Sequence, residues 1–310
     1  MTAFTRLVGC DKPIQLAPMG GGVGTPRLAA AVSAAGGLGM ISSAGPAPLA
    51  DQIAAMRTTS PAPYGVGFFG FDLANRTADL ELAAAQARVV DVFWDEPDPG
   101  AVARIHAGGA LAFWQTGSTK EALAAADAGC DAIVVQGVEA GGHVRGTTPL
   151  LTLLRDVVPR VEVPVIAAGG IATRTDVRAA REAGASAVRI GTRLLATVES
   201  AAHPDYLAAL LAATGEDTEL TTAFHSGWED APHRVLQAAI TAAEVASEPI
   251  ATSEVVGRSF PVERWSAMPP STSCTGQIAA MAMYAGTGVG SINEILSVAA
   301  VFELLLGDTA

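Results

Sequence analysis

Short apolar runs, rich in β-branched residues, recur along the chain at Ile14–Pro18, Leu38–Ser42, Tyr64–Phe69, Val89–Trp94, Ala110–Gln115, Ala132–Gln136, Pro164–Gly169 and Ala187–Thr192. Their starts lie 21 to 32 residues apart. Runs of this length without polar alternation predict strands covered on both faces, as in a parallel sheet. Between them, alanine-rich stretches with helical spacing predict helices over Arg27–Ala35, Pro48–Arg57, Ala74–Ala87, Thr119–Ala128 and Thr173–Ala183. Several close on glycine just before the next strand, as in AAGGLGMIS, DAGCDAIVV and EAGASAVRIG, where a helix C-cap and a short αβ loop belong. Alternating β and α units give a parallel sheet. Eight of them give an α/β fold of the (β/α)₈ TIM-barrel type. An open doubly wound sheet is the alternative.

After the eighth run the rhythm stops. Residues 203–253 read as helical without strands, in DYLAALLAATG and PHRVLQAAITAAEVA, and 255–270 as irregular. Gly276–Tyr284 and Ile292–Leu306 read as helices around the turn AGTGVGS. The expected division is a barrel over 1–202, a helical insertion over 203–258, and C-terminal helices returning to the barrel over 259–310.

The chemistry gathers in DAIVVQGVEAGGHVRG, Asp131–Gly146. A buried strand ends at Gln136 and opens into a loop holding Gly137, Gly141, Gly142 and Gly146, with Glu139, His143 and Arg145 among them. Glycines permit close approach to a flat ligand. Packing does not explain an imidazole in such a loop, so His143 is the candidate acid/base or substrate donor. His225 and His233 are weaker candidates that the insertion could bring near. The acids Glu139, Asp95 and Glu96 show no evident partner and read as solvated loop residues. Strand one ends in APMGGGVGT, a loop on which a flat ring could lie; it does not fit the dinucleotide pattern G-x-G-x-x-G.

The seventh and eighth strands end in AAGGI and RIGT, at the loops where (β/α)₈ barrels commonly hold a phosphate. Backbone N–H groups of Gly169, Gly170 and Gly191 would point at it, Thr192 would add a hydroxyl, and Arg193 a countercharge. A phosphate-bearing cofactor is expected there. Phe68, Phe69, Phe71, Trp94 and Trp114, at or near strand ends, suggest an apolar pocket, with core packing an equal reading.

Composition narrows the field. The chain has 310 residues, half of them hydrophobic, a net charge of −12 and an isoelectric point near 4.8. With no basic run, nucleic-acid binding is not expected. Cys10, Cys130 and Cys274 are isolated thiols without C-x-x-C spacing, which suits a reducing compartment. No H-E-x-x-H, H-x-H or Cys/His cluster points to a metal, and no G-x-S-x-G to an α/β-hydrolase. The N-terminus lacks a signal-peptide apolar region and no segment reads as a membrane span, so a cytoplasmic protein is expected.

QGVEAGGHVRGTTPLLTLL, PVIAAGGIATRTDVRAAREAGASAVRIGTRLLATVES and APMGGG resemble the nitronate monooxygenases, as do WEDAPHRVL and YAGTGVGSINEI. The resemblance runs from about residue 13 to the C-terminus. FMN-dependent enoyl reductases share a similar EAGGH loop. The resemblance implies non-covalent FMN, with Met19 against its ring system, Gln136 and Gly141 in contact with it, and Gly169, Gly170, Gly191 and Thr192 on its phosphate. It implies His143 as the catalytic histidine, and small-molecule substrate and O₂ as the partners, the products being a carbonyl compound and nitrite. A homodimer is the candidate assembly. Two cofactor positions depart from the family pattern: Gly67 stands where many members carry Asn, and Gln115 where some carry Lys. The alternatives are an FMN-dependent NAD(P)H reductase or dehydrogenase acting on an acyl thioester, and a barrel that only binds a flavin or metabolite.

Overall fold

The structure is a computed structural model and describes residues 1–45, 47–255 and 257–307. Eight parallel strands form one sheet: β1 (Ile14–Leu16), β2 (Gly39–Ser42), β3 (Tyr64–Phe69), β4 (Val89–Phe93), β5 (Leu111–Thr116), β6 (Ala132–Gln136), β7 (Val165–Ala168) and β8 (Ala187–Ile190). Each pairs with its sequence neighbour from β2 to β8, and β8 pairs with β1. Leu16 N donates to Leu38 O at 3.0 Å and Leu38 N to Ile14 O at 2.9 Å, which joins β1 to β2 and closes the ring. The fold is therefore a (β/α)₈ barrel, as the repeat implied.

Strand residues are buried on both faces because helices cover the outside and side chains fill the inside. Helix starts follow the local chemistry. Thr25 and Ser118 accept backbone N–H bonds from Leu28 and Glu121, and Thr173 with Asp176 makes a reciprocal capping box. Asp98 caps a helix over Pro99–Gly108 that the apolar pattern alone did not reveal; Leu150–Val157 is a second. One core fills the barrel and its helical coat. The last helix, Val298–Leu306, adds Val301, Phe302 and Leu305 to it.

The segment after β8 departs from the helical expectation. It holds helices Pro204–Ala212 and Gln237–Val245, but also β9 (Thr218–Thr221), β10 (His233–Leu236), β11 (Ala251–Val255), β12 (Arg258–Val262) and β13 (Cys274–Gly276). These strands have three to five residues each, too short to stand out beside alanine-rich neighbours. β11 pairs with β12 across residue 258, so the expected boundary there does not divide the structure. Gly276–Tyr284 is no helix: it leaves β13 and makes one 3₁₀ turn, Ile278–Ala280. The lobe has its own apolar core, including Tyr206, Phe224, Val235 and Met281.

A strand pairing beside the site sews the lobe to the barrel. β10 pairs antiparallel with a two-residue strand, Gly142–His143, in the loop after β6. No helix among the described residues is long and apolar enough to cross a membrane.

Candidate active site

A cavity of about 500 Å³ opens at the C-terminal ends of the barrel strands, between barrel and lobe. Barrel loops at this end carry ligand and catalytic groups, and the volume suits a cofactor-sized molecule. All ten residues expected to form the site line it: Met19, Gly67, Gln115, Gln136, Gly141, His143, Gly169, Gly170, Gly191 and Thr192.

One side of the cavity is backbone. After β7, Gly170 turns through a left-handed conformation, φ +67°. The N–H groups of Gly169, Gly170 and Gly191 donate to no acceptor among the described residues. Thr192 Oγ1 accepts from Gly286 N at 3.1 Å, which leaves its hydrogen to donate elsewhere. Gly286 lies in the C-terminal motif AGTGVGS, which packs under the loop after β6. A Cβ at Gly141 would lie 2.4 Å from Gly286 N, so a side chain there must move backbone.

Gln136 fixes the loop beyond. Its Nε2 donates to His143 O at 2.9 Å, and its Oε1 accepts from Arg145 N at 3.2 Å. Of the loop acids, Glu139 is engaged rather than solvated, whereas Asp95 and Glu96 are exposed as expected. Glu139 accepts from Leu150 N at a helix start, and Arg145 donates to Glu121 and Glu96. Arg193 does not serve as a countercharge: it is buried and donates to Glu294 O and Ala196 O.

His143 stands among aromatic rings. Trp228 stacks on it with centroids 3.8 Å apart, and Trp94 and Tyr284 lie 5.7 Å away. Its Nε2 is buried without a partner among the described residues. Burial, aided by His233 nearby, lowers its pKa to about 3. The imidazole is neutral at ordinary pH and offers a lone pair. His233 comes within 5.3 Å of it, but both its nitrogens are committed, Nδ1 donating to Ala231 O and Nε2 accepting from Phe224 N. His225 is exposed. Phe69 packs edge-on against Trp228 and lines the cavity with Phe68, whereas Trp114 is buried in the barrel core.

The floor is polar. Asp91 of β4 and Arg189 of β8 make a buried ion pair, and Arg189 also bonds Gln115 and Gln15. Sequence reading passed over Asp91 and Arg189, although a charge inside an otherwise apolar strand is itself a signal. It also gave Trp228 and Tyr284 no role of their own. At Gly67 a Cβ would lie 2.5 Å from Pro18 Cβ, so no side chain fits there while Pro18 keeps its place.

Comparison with known proteins agrees with this architecture. The chain is 34% identical over 237 residues to (3aS,4S,5R,7aS)-5-hydroxy-7a-methyl-1-oxo-octahydro-1H-indene-4-carboxyl-CoA dehydrogenase of Rhodococcus jostii, covering 76% of this chain and 65% of that protein, a little under two thirds of its length. FabK from Thermotoga maritima superposes with a TM-score of 0.79 at 29% identity, over 99% of this chain and 95% of that one. A nitroalkane oxidase from Streptomyces ansochromogenes superposes with a TM-score of 0.78 at 29% identity, over 98% and 96%. The model of the nitronate monooxygenase family matches residues 2–79 and 70–308, nearly the whole chain, and the protein belongs to that family.

Proposed function

We propose that this protein is an FMN-dependent oxidoreductase that oxidises alkyl nitronates, or the nitroalkanes that yield them, with O₂ to a carbonyl compound and nitrite. The observation that carries the reading is a neutral imidazole, His143, with an unpartnered buried nitrogen, in one cavity with unpaired backbone N–H groups. The residues present fit FMN. Gly169, Gly170, Gly191 and Thr192 would hold its phosphate, the APMGGG loop with Met19 would lie along its ring, and Gly67, Gln115, Gln136 and Gly141 would complete the walls. A bound flavin supplies the electron transfer to O₂.

The chain's own residues prepare the substrate. His143 can take the proton from the carbon bearing the nitro group, because its ring lines the cavity with a nitrogen that no described residue occupies. Trp228, Trp94 and Tyr284 exclude water and hold the imidazole ring in place. Gln136 keeps the His143 loop in register with β6.

The test is oxygen uptake by FMN-loaded protein on addition of a short alkyl nitronate, with nitrite assayed in the same tube. Uptake with nitrite release is expected; no uptake from an FMN-replete sample removes the nitronate reading. A second reading, reduction or dehydrogenation of an acyl thioester, draws on the names of the Rhodococcus relative and the Thermotoga structure. Rapid anaerobic bleaching by NADPH would favour it. A protein that takes up no FMN would leave neither enzyme. We place the working protein in the cytoplasm, with small molecules as its partners.

A further inference from the structure

The cavity floor holds charges to which the proposed reaction gives no part. The side chains of Asp91 and Arg189 are 1% and 2% exposed. Arg189 Nη1 donates to Asp91 Oδ2 at 3.1 Å, and Nη2 to Oδ1 at 2.6 Å. Nη1 also donates to Gln115 Oε1, and Nε to Gln15 Oε1 at 3.2 Å. Four of the five guanidinium N–H groups are thus spent within the floor. Both oxygens of Asp91 accept from the guanidinium, which is the pattern of a carboxylate, so the pair carries no net charge.

Gln115 follows from this. Its oxygen is turned to Arg189, so its NH₂ group points elsewhere. That group meets no acceptor among the described residues, and Gln115 lines the cavity. Strand register ties the floor to the rest of the site: Gln15 stands opposite Arg189, and Gly67 opposite Asp91.

We propose that Asp91, Arg189 and Gln115 form a charge-neutral floor that sets the reduction potential of a flavin bound above it. The proposal rests on the FMN reading given above. Asp91 cancels the guanidinium charge, and Gln115 offers a neutral N–H donor where a cation would otherwise act. A reduced flavin, like the adduct that sulfite forms with the oxidised ring, carries negative charge that the free oxidised flavin lacks. A buried net charge beside the ring therefore shifts both equilibria, and weak screening in a dry barrel keeps the effect large. These are positioning residues; none of them is asked to move a proton.

The experiment uses FMN-loaded protein and reads two equilibria, sulfite affinity from loss of flavin absorbance and midpoint potential against a redox dye. Asp91→Asn should uncover the guanidinium, tighten sulfite at least tenfold, and raise the two-electron midpoint by about 30 mV per tenfold. Asp91→Asn with Arg189→Gln restores neutrality and should return both values to near wild type. Gln115→Glu keeps the oxygen that Arg189 needs and adds a negative charge, so sulfite should bind at least tenfold more weakly. That variant carries the test alone if Asp91→Asn does not fold. Wild-type protein that takes up no FMN overturns the cofactor reading. Wild type that holds FMN, with sulfite affinity unchanged in Gln115→Glu and in any folded Asp91→Asn protein, overturns the neutral floor alone.

Discussion

The two sides of the cavity are made of different material. On the β7–β8 side, above the floor, the free donors are backbone N–H groups of Gly169, Gly170 and Gly191, joined by the Thr192 hydroxyl. On the β6 and lobe side ring-bearing side chains stand out: His143, Trp228 and Tyr284, with Trp94 behind. Backbone donors stay put as long as the turn stays put. Side chains can be exchanged without unfolding the turn that carries them. The first side should therefore govern whether cofactor is held, and the second what is done with it.

The sharpest test of this division is His143→Ala. Turnover with a nitroalkane should fall about 10²- to 10⁴-fold, the range for losing a general base, while FMN affinity stays within about twofold. Loss of FMN together with activity would erase the distinction between the sides. Next in size is Gly170→Val. A Cβ there would lie 2.9 Å from Glu139 Cβ on a backbone at φ +67°, so the turn must move. FMN affinity should drop at least tenfold, roughly the ~1–2 kcal/mol of a left-handed non-glycine residue, as read by fluorescence titration. Trp228→Ala removes the ring stacked on His143. It should raise KM about fivefold and move the histidine pKa from about 3 toward 6.5, visible as a new acid limb in kcat/KM.

Acid stability sharpens the same comparison. His143 is held neutral in the folded protein down to about pH 3, whereas the unfolded chain takes up the proton near 6.5. The unfolded state binds more protons in that window, so stability is full above pH 6.5 and declines as pH falls toward 3. Urea unfolding followed from pH 7 to 4 should show a shallower decline in His143→Gln than in wild type. The smallest effect should come from Thr192→Val, about fivefold in FMN Kd for one neutral hydrogen bond of ~1 kcal/mol, with kcat unchanged.

The barrel was legible because each strand announces itself locally. Runs such as AIVVQ and PVIAAG need only their own composition to be read as buried strands. β10 does not, since HRVL becomes a strand against Gly142–His143, far away in sequence, and β11 does not because ATSEV, though paired locally with Arg258–Val262, is too short and polar to stand out. The site divides the same way. His143 stood out because a glycine loop has no packing use for an imidazole. Asp91 and Arg189 did not, because each looks like an isolated charge until the barrel closes and sets them 2.6 Å apart. Arg193 was misread for a related reason. The short turn of helix Thr192–Leu195 carries it away from the cavity to Glu294 O, a contact across 101 residues.

Gly67 and Pro18 carry one more consequence. The strand-three glycine and the strand-one proline fill the same space, with 2.5 Å between Pro18 Cβ and the point where a Cβ of residue 67 would sit. Any lineage of this protein that acquires a side chain at 67 must first have loosened position 18, or must change both at once. An asparagine introduced alone should be unfit whatever benefit its amide would bring, so the order of substitutions, and not only their final set, limits which active sites descendants of this chain can reach.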